Sequence, residues 1–454
     1  MGNGFILMQK NHLRRISAFL TSDFLFPVII FFALLRMCCF GFRYFPQLDD
    51  YIQYGCYPNM PDAYMNIGLY ATRPLAGIFD IYVWGRLWDN MWLAFLTITV
   101  LHAVSAYLFI VAAGNSGMRL GLMFAVVYLL CPVNIEGAYW ISASSRIVVP
   151  LFFASISFYC LSINKLIPFS IFQLLSLLFY EQAIVFSVVV SLIIAIKQKK
   201  RLVGIVTLSN STFILLYYLI FSQTGSFAGR AAVTIFNPAA AYDIISSWNP
   251  AWVLKNFYDG LVMGGWLYTL AVTVLCCVFM IAGREEEEAL CRYKISLQFL
   301  FGLSLFFFSY IPIFILENYV FALRNNFIPL IGIAVMVDAL FSLNKFKHVF
   351  VALFAMIFII STMPELDFYR RNYEHDTQII AHVSGNISRD KPNSIIDARL
   401  RYVTTNNDFA EHILSISSSD WALTGAVRES LQEYTLRQFV FDEASDEFNL
   451  IYLD

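Results

Sequence analysis

Two adjacent carboxylates, Asp49 and Asp50, form the pair in this 454-residue sequence that is best suited to chemistry. They follow the first long apolar segment, within the sequence FPQLDDY at positions 45–51. Neighbouring carboxylates repel each other, which raises the pKa of at least one of them unless a cation or hydrogen bonds compensate. Such a group suits a general base that takes a proton from a hydroxyl. A solvated loop pair or a helix N-cap is the alternative interpretation.

Arg73 is the second candidate, in the sequence ATRPLA at positions 71–76. The planar guanidinium of arginine suits phosphate, and it stays charged in a site of low dielectric constant. Attachment to lipid headgroups at the membrane surface is the alternative role.

A further set of polar residues lies beside the ends of apolar segments. Ionisable residues in such places are functional candidates, although loop charges are usually only solvated. We predict no resident metal, because the histidines do not cluster, while a divalent cation at the acidic pair remains open. The predicted substrate-binding residues, besides Arg73, are Glu136, Trp140, Arg146, Glu181, Arg230 and Arg324.

The composition fixes the class of protein. Hydrophobic residues make up 59% of the chain and charged residues 14%, whereas soluble domains are usually about 45–50% apolar. A soluble domain could not bury that much apolar surface and keep a charged exterior. The composition excludes an ordinary cytosolic enzyme, a nucleic-acid binder and a disordered protein, and it predicts an α-helical polytopic membrane protein.

The charges divide the chain into two parts. The first 364 residues carry 22 basic and 16 acidic side chains, whereas the last 90 carry 8 basic and 16 acidic ones. We therefore predict a transmembrane domain over residues 1–363 and a small extracytoplasmic domain over residues 364–454. Apolar strand-like runs at 394–400, 438–442 and 449–453 flank a helical stretch at 408–434 and predict an α+β fold for the second domain.

Apolar segments set the predicted number of membrane crossings. A helix needs about 20 apolar residues to cross a bilayer. Lys and Arg cluster in alternate loops, which places the N-terminus in the cytoplasm and the C-terminal domain outside. The eleven predicted transmembrane helices lie near 24–42, 91–113, 118–132, 147–163, 166–180, 182–196, 202–222, 262–283, 295–316, 326–343 and 347–363.

Three regions between these segments carry specific predictions. Residues 166–196 are apolar throughout, and a single crossing there would put the basic cluster at 197–201 outside. Two short helices that turn at Glu181 are therefore predicted. Residues 43–90 and 223–261 are predicted as long outer loops, the first with amphipathic helices at 62–70 and 75–88.

Together, the architecture and the first loop resemble the polytopic glycosyltransferases of the GT-C fold. The similarity is greatest to the bacterial Gtr-type serotype-converting O-antigen glucosyltransferases. Three motifs carry it: Asp49-Asp50 after the first span, Arg73-Pro74-Leu75 about two dozen residues later, and Tyr180-Glu181-Gln182-Ala183 in the middle spans.

The resemblance implies a function on the periplasmic face of the bacterial inner membrane. Enzymes of this type move glucose from polyprenyl-phosphate glucose to lipid-linked O-antigen, without a cofactor. Asp49 would be the general base and Asp50 its positioning partner, and inversion at the anomeric carbon is expected. Membrane lipids, a flippase and a donor-synthesising glycosyltransferase would be partners, and nucleic acid would not.

Two other functions fit the composition. An O-antigen polymerase or ligase would also have many spans and large outer loops, but the early acidic pair argues against it. A secondary transporter would have inverted repeats and charged or broken helices at the bilayer midplane. No repeat is visible in the sequence, so the glycosyltransferase is the preferred prediction.

Overall fold

The structure is a computed structural model, and the residues that it describes are mostly helical. The described residues are 25–39, 41–62, 73–180, 182–197, 199–221, 237–282, 292–314, 322–342, 344, 346–386, 395–396, 413–435, 438–442 and 447–451.

Helices follow one another with short connections along most of the described chain. The α-helices are α1 (Leu25–Cys38), α2 (Pro74–Phe79), α3 (Met91–Asn115), α4 (Leu122–Leu130), α5 (Ile135–Tyr139), α6 (Ile141–Ser162), α7 (Leu166–Phe179), α8 (Gln182–Lys197), α9 (Arg201–Phe221), α10 (Pro238–Ser247), α11 (Pro250–Ala282), α12 (Arg292–Ser309), α13 (Ile311–Phe314), α14 (Phe327–Phe341), α15 (Lys347–Asn386) and α16 (Asp420–Leu431).

Six helical segments within the described ranges are long and apolar enough to cross a membrane, or seven if the bent segment α4–α5 counts as one. The predicted number of eleven is not supported. The helices α1, α7 and α8 are apolar but short, and a helix of 14 residues spans only about 21 Å. The six segments are Pro74–Asn115, Ile141–Ser162, Pro238–Cys277, Ile295–Phe314, Leu323–Phe341 and Lys347–Gly385.

The apolar stretch 166–196 forms two helices, α7 and α8, as predicted. The two helices contact each other: Gln173 on α7 donates its side-chain N–H groups to the hydroxyls of Ser187 (3.0 Å) and Ser191 (3.3 Å) on α8. The predicted turn residue Glu181 lies outside the described residues.

Two loops predicted from the sequence are largely helical. Residues 75–88 lie in α2 and in the π- and 3₁₀-helical turns that lead directly into α3. The described part of the second loop, from residue 237, forms α10 and the first turns of α11. The segment 62–70 lies almost entirely outside the described residues.

One continuous hydrophobic core runs through the bundle. Helices α12 and α14 approach closely at Gly302 and Gly332, where an added Cβ on Gly302 would lie 2.7 Å from the carbonyl oxygen of Gly332. Small residues permit such close backbone packing where lipid gives no hydrophobic drive for association. This contact holds α14 against α12, and Arg324 lies in the 3₁₀-helical turn Leu323–Asn326 that precedes α14.

At the break between α4 and α5, side chains inside the bundle form hydrogen bonds with the backbone carbonyl groups. Pro132 cannot continue α4, so carbonyl groups at its end lack partners in the helix. The buried guanidinium of Arg36 donates to the carbonyl of Leu129, and Asn134 donates to that of Tyr128 at 2.9 Å. The chain bends by 47° here, and α5 then contacts the first loop, where the Phe45 backbone N–H donates to the Tyr139 hydroxyl at 2.9 Å.

Loops that were predicted on the same side of the membrane lie at the same end of the bundle. At one end, Glu136 contacts Arg324 and the Arg73 side chain lies against Tyr180. At the other end, Asn115 donates to Ser162 at 3.1 Å.

The C-terminal segment packs onto the bundle. Helix α15 runs through the predicted boundary at residue 364, and α16 packs on the π-helical turn Tyr51–Cys56. A second hydrophobic cluster joins Leu48 and Trp140 to Val427 of α16. A separate α+β domain is therefore not supported, because the C-terminal residues share their core with the first loop.

A small sheet completes the described C-terminal residues. Strands β1 (Ile395–Ile396), β2 (Gln438–Asp442) and β3 (Glu447–Ile451) are antiparallel in the order β1-β3-β2. Phe439 of β2 is fully buried, and its backbone N–H donates to the Thr424 hydroxyl of α16 at 2.9 Å. The sheet therefore packs against α16.

Candidate active site

Asp50 is fully buried and accepts hydrogen bonds on both carboxylate oxygens. Its Oδ2 accepts from the Tyr44 hydroxyl and from the Gln47 backbone N–H (2.9 Å), and its Oδ1 accepts from the Ser142 backbone N–H (3.0 Å). Burial raises the pKa of Asp50 from 3.8 to about 7, although these hydrogen bonds favour the charged form. Asp50 thus ties the first loop to α6.

Asp49 is partly exposed, unlike its neighbour. Its Oδ1 accepts a hydrogen bond of 2.7 Å from the indole N–H of Trp421, the second residue of α16. The adjacent carboxylates therefore point to different surroundings, Asp50 into the protein and Asp49 towards α16.

Glu136 and Arg324 form an ion pair at the same end of the bundle. The guanidinium lies 2.6 Å from Glu136 Oε1, and the Arg324 backbone N–H donates to Oε2 at 3.0 Å. The Glu136 side chain is buried, whereas that of Arg324 keeps 35% of its surface exposed. The pair therefore fixes the position of Arg324 and leaves part of the guanidinium accessible.

Aromatic rings hold the two arginines of the site. The Arg324 guanidinium lies 5.1 Å from the ring centre of Trp140, and that of Arg73 lies 4.7 Å from the ring centre of Tyr180. Arg324 also interacts electrostatically with Tyr180 and Asp49. The guanidinium groups of Arg73 and Arg324 and the carboxylate of Asp49 thus lie around one region of the protein.

Two buried hydrogen-bond donors beside Arg324 have no hydrogen-bond partner within the described part of the chain. They are the indole N–H of Trp140 (7% exposed) and the hydroxyl of Tyr369 (2% exposed). Tyr369 interacts electrostatically with both Glu136 and Arg324. Because buried polar groups are normally paired, surplus donors beside arginines suit a bound anion.

Arg146 belongs to a separate buried network behind Asp50. Its guanidinium lies 2.9 Å from Asp80 and donates to the Gln53 side-chain oxygen at 3.0 Å. Ser142 donates its hydroxyl to the same Gln53 oxygen at 2.9 Å. The network links α6 to the first loop and to the turn after α2, so it supports the backbone that carries the acidic pair.

The structure brings several of the predicted site residues together. Asp49, Arg73, Glu136, Trp140 and Arg324 lie around one region. Asp50 and Arg146 lie in the buried network beside it, and Glu181 and Arg230 lie outside the described residues.

Sequence reasoning missed several residues of the site. Tyr180 was part of a recognised motif, but its contact with Arg73 was not foreseen. Asp80 was visible as a charge within an amphipathic segment. Trp421 is the single tryptophan after residue 365, which was the only available signal for it.

No group of three or more His, Cys, Asp or Glu side chains among the described residues is arranged to hold a metal ion. The chemistry available is that of a carboxylate, two arginines and unpaired hydrogen-bond donors. Comparison of the chain with family models, curated proteins and solved structures gives no match.

Proposed function

We propose that the protein is a membrane glycosyltransferase. It moves a hexose, with glucose as the expected sugar, from a polyprenyl-phosphate donor to lipid-linked O-antigen or another surface polysaccharide. The observation that carries the proposal is that the partly exposed Asp49 interacts electrostatically with Arg324, and that Arg324 and Arg73 both interact with Tyr180 at one end of an apolar helical bundle. In this proposal, Asp49 supplies the base and the two arginines supply the cations that a lipid phosphate requires.

The two arginines bind the donor phosphate in this proposal. Arginine has five N–H groups, so Arg324 can contact phosphate while it remains paired with Glu136. The ring of Trp140 holds the Arg324 guanidinium and that of Tyr180 holds Arg73, which limits the entropy lost when phosphate binds. The Trp140 N–H and the Tyr369 hydroxyl, which have no partner among the described residues, supply further donors. As the sugar leaves, these groups stabilise the charge that develops on the phosphate.

Asp49 acts as the general base. It takes the proton of the acceptor hydroxyl as that oxygen forms a bond to the anomeric carbon. The bond from this carbon to the phosphate oxygen breaks, and polyprenyl phosphate leaves with the electron pair. Direct displacement inverts the anomeric centre, and a retaining route would need a second carboxylate as nucleophile. Asp50 is saturated with hydrogen bonds, so its role is to position the loop.

The proposed setting is a GT-C-like body in a bacterial inner membrane. The short helices α1, α7 and α8 also enter the bilayer, beside a water-filled cavity, and account for crossings beyond the six long segments. The N-terminus is cytoplasmic, and the C-terminal residues form an α+β unit in the periplasm. A flippase and a donor-synthesising glycosyltransferase supply the donor at that face.

Transfer in proteoliposomes tests the proposal. Purified protein is mixed with radiolabelled polyprenyl-phosphate glucose and a lipid-linked O-antigen acceptor, and label in the polysaccharide is measured. Parallel analysis of surface polysaccharide from cells with and without the protein should show a lost or gained side branch. A change in chain length without a change in branching would point to a polymerase and contradict the proposal.

A further inference from the structure

Helix α16 forms one wall of the candidate active site. Its Trp421 contacts Asp49, and one end of the helix is held by a hydrogen bond of 2.9 Å from the Trp88 indole N–H to Glu429. Between these contacts, an added Cβ on Gly425 would lie only 2.5 Å from the Cβ of Ile52. The helix is thus docked along its length on the segment that follows the acidic pair.

Trp421 is exposed although it is anchored. Its indole N–H donates to Asp49, while the residue remains 47% exposed. The hydrogen bond fixes the indole beside the Asp49 carboxylate, so an exposed aromatic side chain adjoins the proposed base. An apolar ring with its polar atom already satisfied can take a ligand only through its ring surface.

The chemistry of sugars matches such a surface. A pyranose ring presents polarised C–H bonds on one face and hydroxyl groups around its edge. The π-face of an indole carries negative charge density and attracts such C–H groups, while a neighbouring carboxylate accepts from the hydroxyls. Trp421 and Asp49 offer these two features side by side.

We propose that the ring of Trp421 binds the acceptor sugar. This inference rests on the proposed function and adds the acceptor subsite to it. The donor phosphate lies on the Arg73 and Arg324 side of Asp49, and the acceptor sugar lies on the α16 side. Oδ1 of Asp49 accepts the hydrogen bond from Trp421, and in this proposal Oδ2 receives the proton of the acceptor hydroxyl.

An exposed tryptophan in a membrane protein can instead anchor in lipid headgroups. The surroundings of Trp421 favour the sugar, because the charged Asp420 precedes it and α16 packs against the first loop. Its indole N–H is also bound by a carboxylate of the site, so it is not available to a headgroup. The test must therefore distinguish attachment of Trp421 to lipid from binding of a sugar.

Steady-state transfer by full-length Trp421→Ala and Trp421→Phe provides the first test. Loss of the ring in Trp421→Ala should raise the KM for the acceptor roughly tenfold or more, with the KM for the donor unchanged. Trp421→Phe keeps a ring without the N–H, so its acceptor KM should stay within a few-fold of wild type. Trp266→Ala is the matched control, since Trp266 is 73% exposed on α11 and should affect neither KM.

A binding measurement that needs no transfer keeps this inference separate from the proposed function. Saturation-transfer NMR follows maltotriose, cellotriose and mannotriose with the detergent-solubilised proteins. Binding that is lost in Trp421→Ala and kept in Trp421→Phe supports the subsite, even if no donor is used by the wild type. An unchanged acceptor KM, or oligosaccharide binding that does not depend on Trp421, overturns it. In proteoliposomes, less quenching of tryptophan fluorescence by brominated lipid in Trp421→Phe than in the wild type, without either effect, would show that the Trp421 ring lies in lipid and would also overturn it.

Discussion

Trp421 donates its indole N–H to Asp49 across 2.7 Å, although 372 positions separate the two residues in the chain. The carboxylate proposed as the base is therefore oriented by a helix from the acidic C-terminal segment. That segment is part of the candidate site, and changes in it should alter catalysis as well as stability.

Asp49→Asn tests the general base. The substitution keeps the shape of the side chain and an oxygen for Trp421, but it removes basicity. We expect the protein to fold and to bind the donor, while transfer slows by at least about 10²-fold. Single-turnover rates and donor binding measure the two effects separately. Transfer at the wild-type rate would remove Asp49 from the role of base.

Asp50→Asn should act on stability more than on chemistry. The carboxylate accepts from Tyr44, Gln47 and Ser142, and the amide nitrogen of asparagine cannot accept from any of them. We expect a lower melting temperature and a smaller loss of rate per folded molecule than in Asp49→Asn. Circular dichroism melting and active-site-normalised rates provide the comparison. If Asp50→Asn is stable and inactive while Asp49→Asn is active, the roles are reversed.

The local part of the site could be predicted from the sequence. Asp49, Asp50 and Arg73 lie close together in the chain and beside an apolar segment, so residue type and spacing were sufficient to choose them. The contact of Trp421 with Asp49 could not be predicted, since it depends on how α16 docks. The charge of Arg146 suggested that it binds the substrate. Its pairing with Asp80 could not be foreseen, because it depends on the packing of α6 against the first loop.

Arg73→Lys and Arg324→Lys test the phosphate site. Lysine keeps the positive charge but loses the planar fork that can contact two phosphate oxygens at once. We expect the KM for the donor to rise roughly tenfold in each variant, a difference of about 1.4 kcal/mol in binding. Arg371→Lys is the control, because Arg371 is 59% exposed and pairs with Asp367 one turn away on its own helix. Equal donor KM values in all three variants would contradict the assignment.

Gly425→Ala tests the docking of α16. An added Cβ would lie 2.5 Å from the Cβ and 2.6 Å from the Cα of Ile52, so the backbone must move. Overpacking of this kind costs about 1–3 kcal/mol. We expect faster proteolysis of the C-terminal segment and a slower transfer rate. Gly385→Ala is the matched control, since nothing lies within 4 Å of an added Cβ there, and it should resemble wild type.

The fold was predictable where it depends on apolar runs and less so where it depends on helix ends. The split of 166–196 into α7 and α8 followed from the placement of charges. The number of long spans could not be predicted from the sequence, because the chain breaks at Pro132 and α1 is short. A hydropathy pattern measures how apolar a segment is, whereas breaks and bends depend on the packing that satisfies the backbone.

Cysteine labelling tests the topology. The contact of Trp88 with Glu429 places the first loop and α16 on one side, and both are predicted to be outside. In a protein whose native cysteines are replaced by serine, Asn59→Cys and Thr435→Cys should react with an impermeant reagent added to intact cells. Both positions are exposed, as is Lys199, which is predicted to be inside. Lys199→Cys should react only after permeabilisation, and labelling of it in intact cells would reverse the orientation.

The pH dependence of stability tests the environment of Asp50. Burial raises its pKa in the folded state to about 7, above the ordinary value of 3.8. Between these two values the folded protein holds a proton that the unfolded chain releases, so the contribution of Asp50 to stability falls as the pH rises through this window. We expect the melting temperature of the wild type to decrease from pH 5 to pH 8. Asp50→Asn should show a smaller decrease, because it carries no ionisable group at this position. A second buried carboxyl group, Asp376 of α15, is present in both proteins, so its contribution cancels in the comparison. Equal pH dependence of wild type and Asp50→Asn, measured by differential scanning calorimetry in the same detergent, would show that Asp50 is ionised throughout this range in the folded protein.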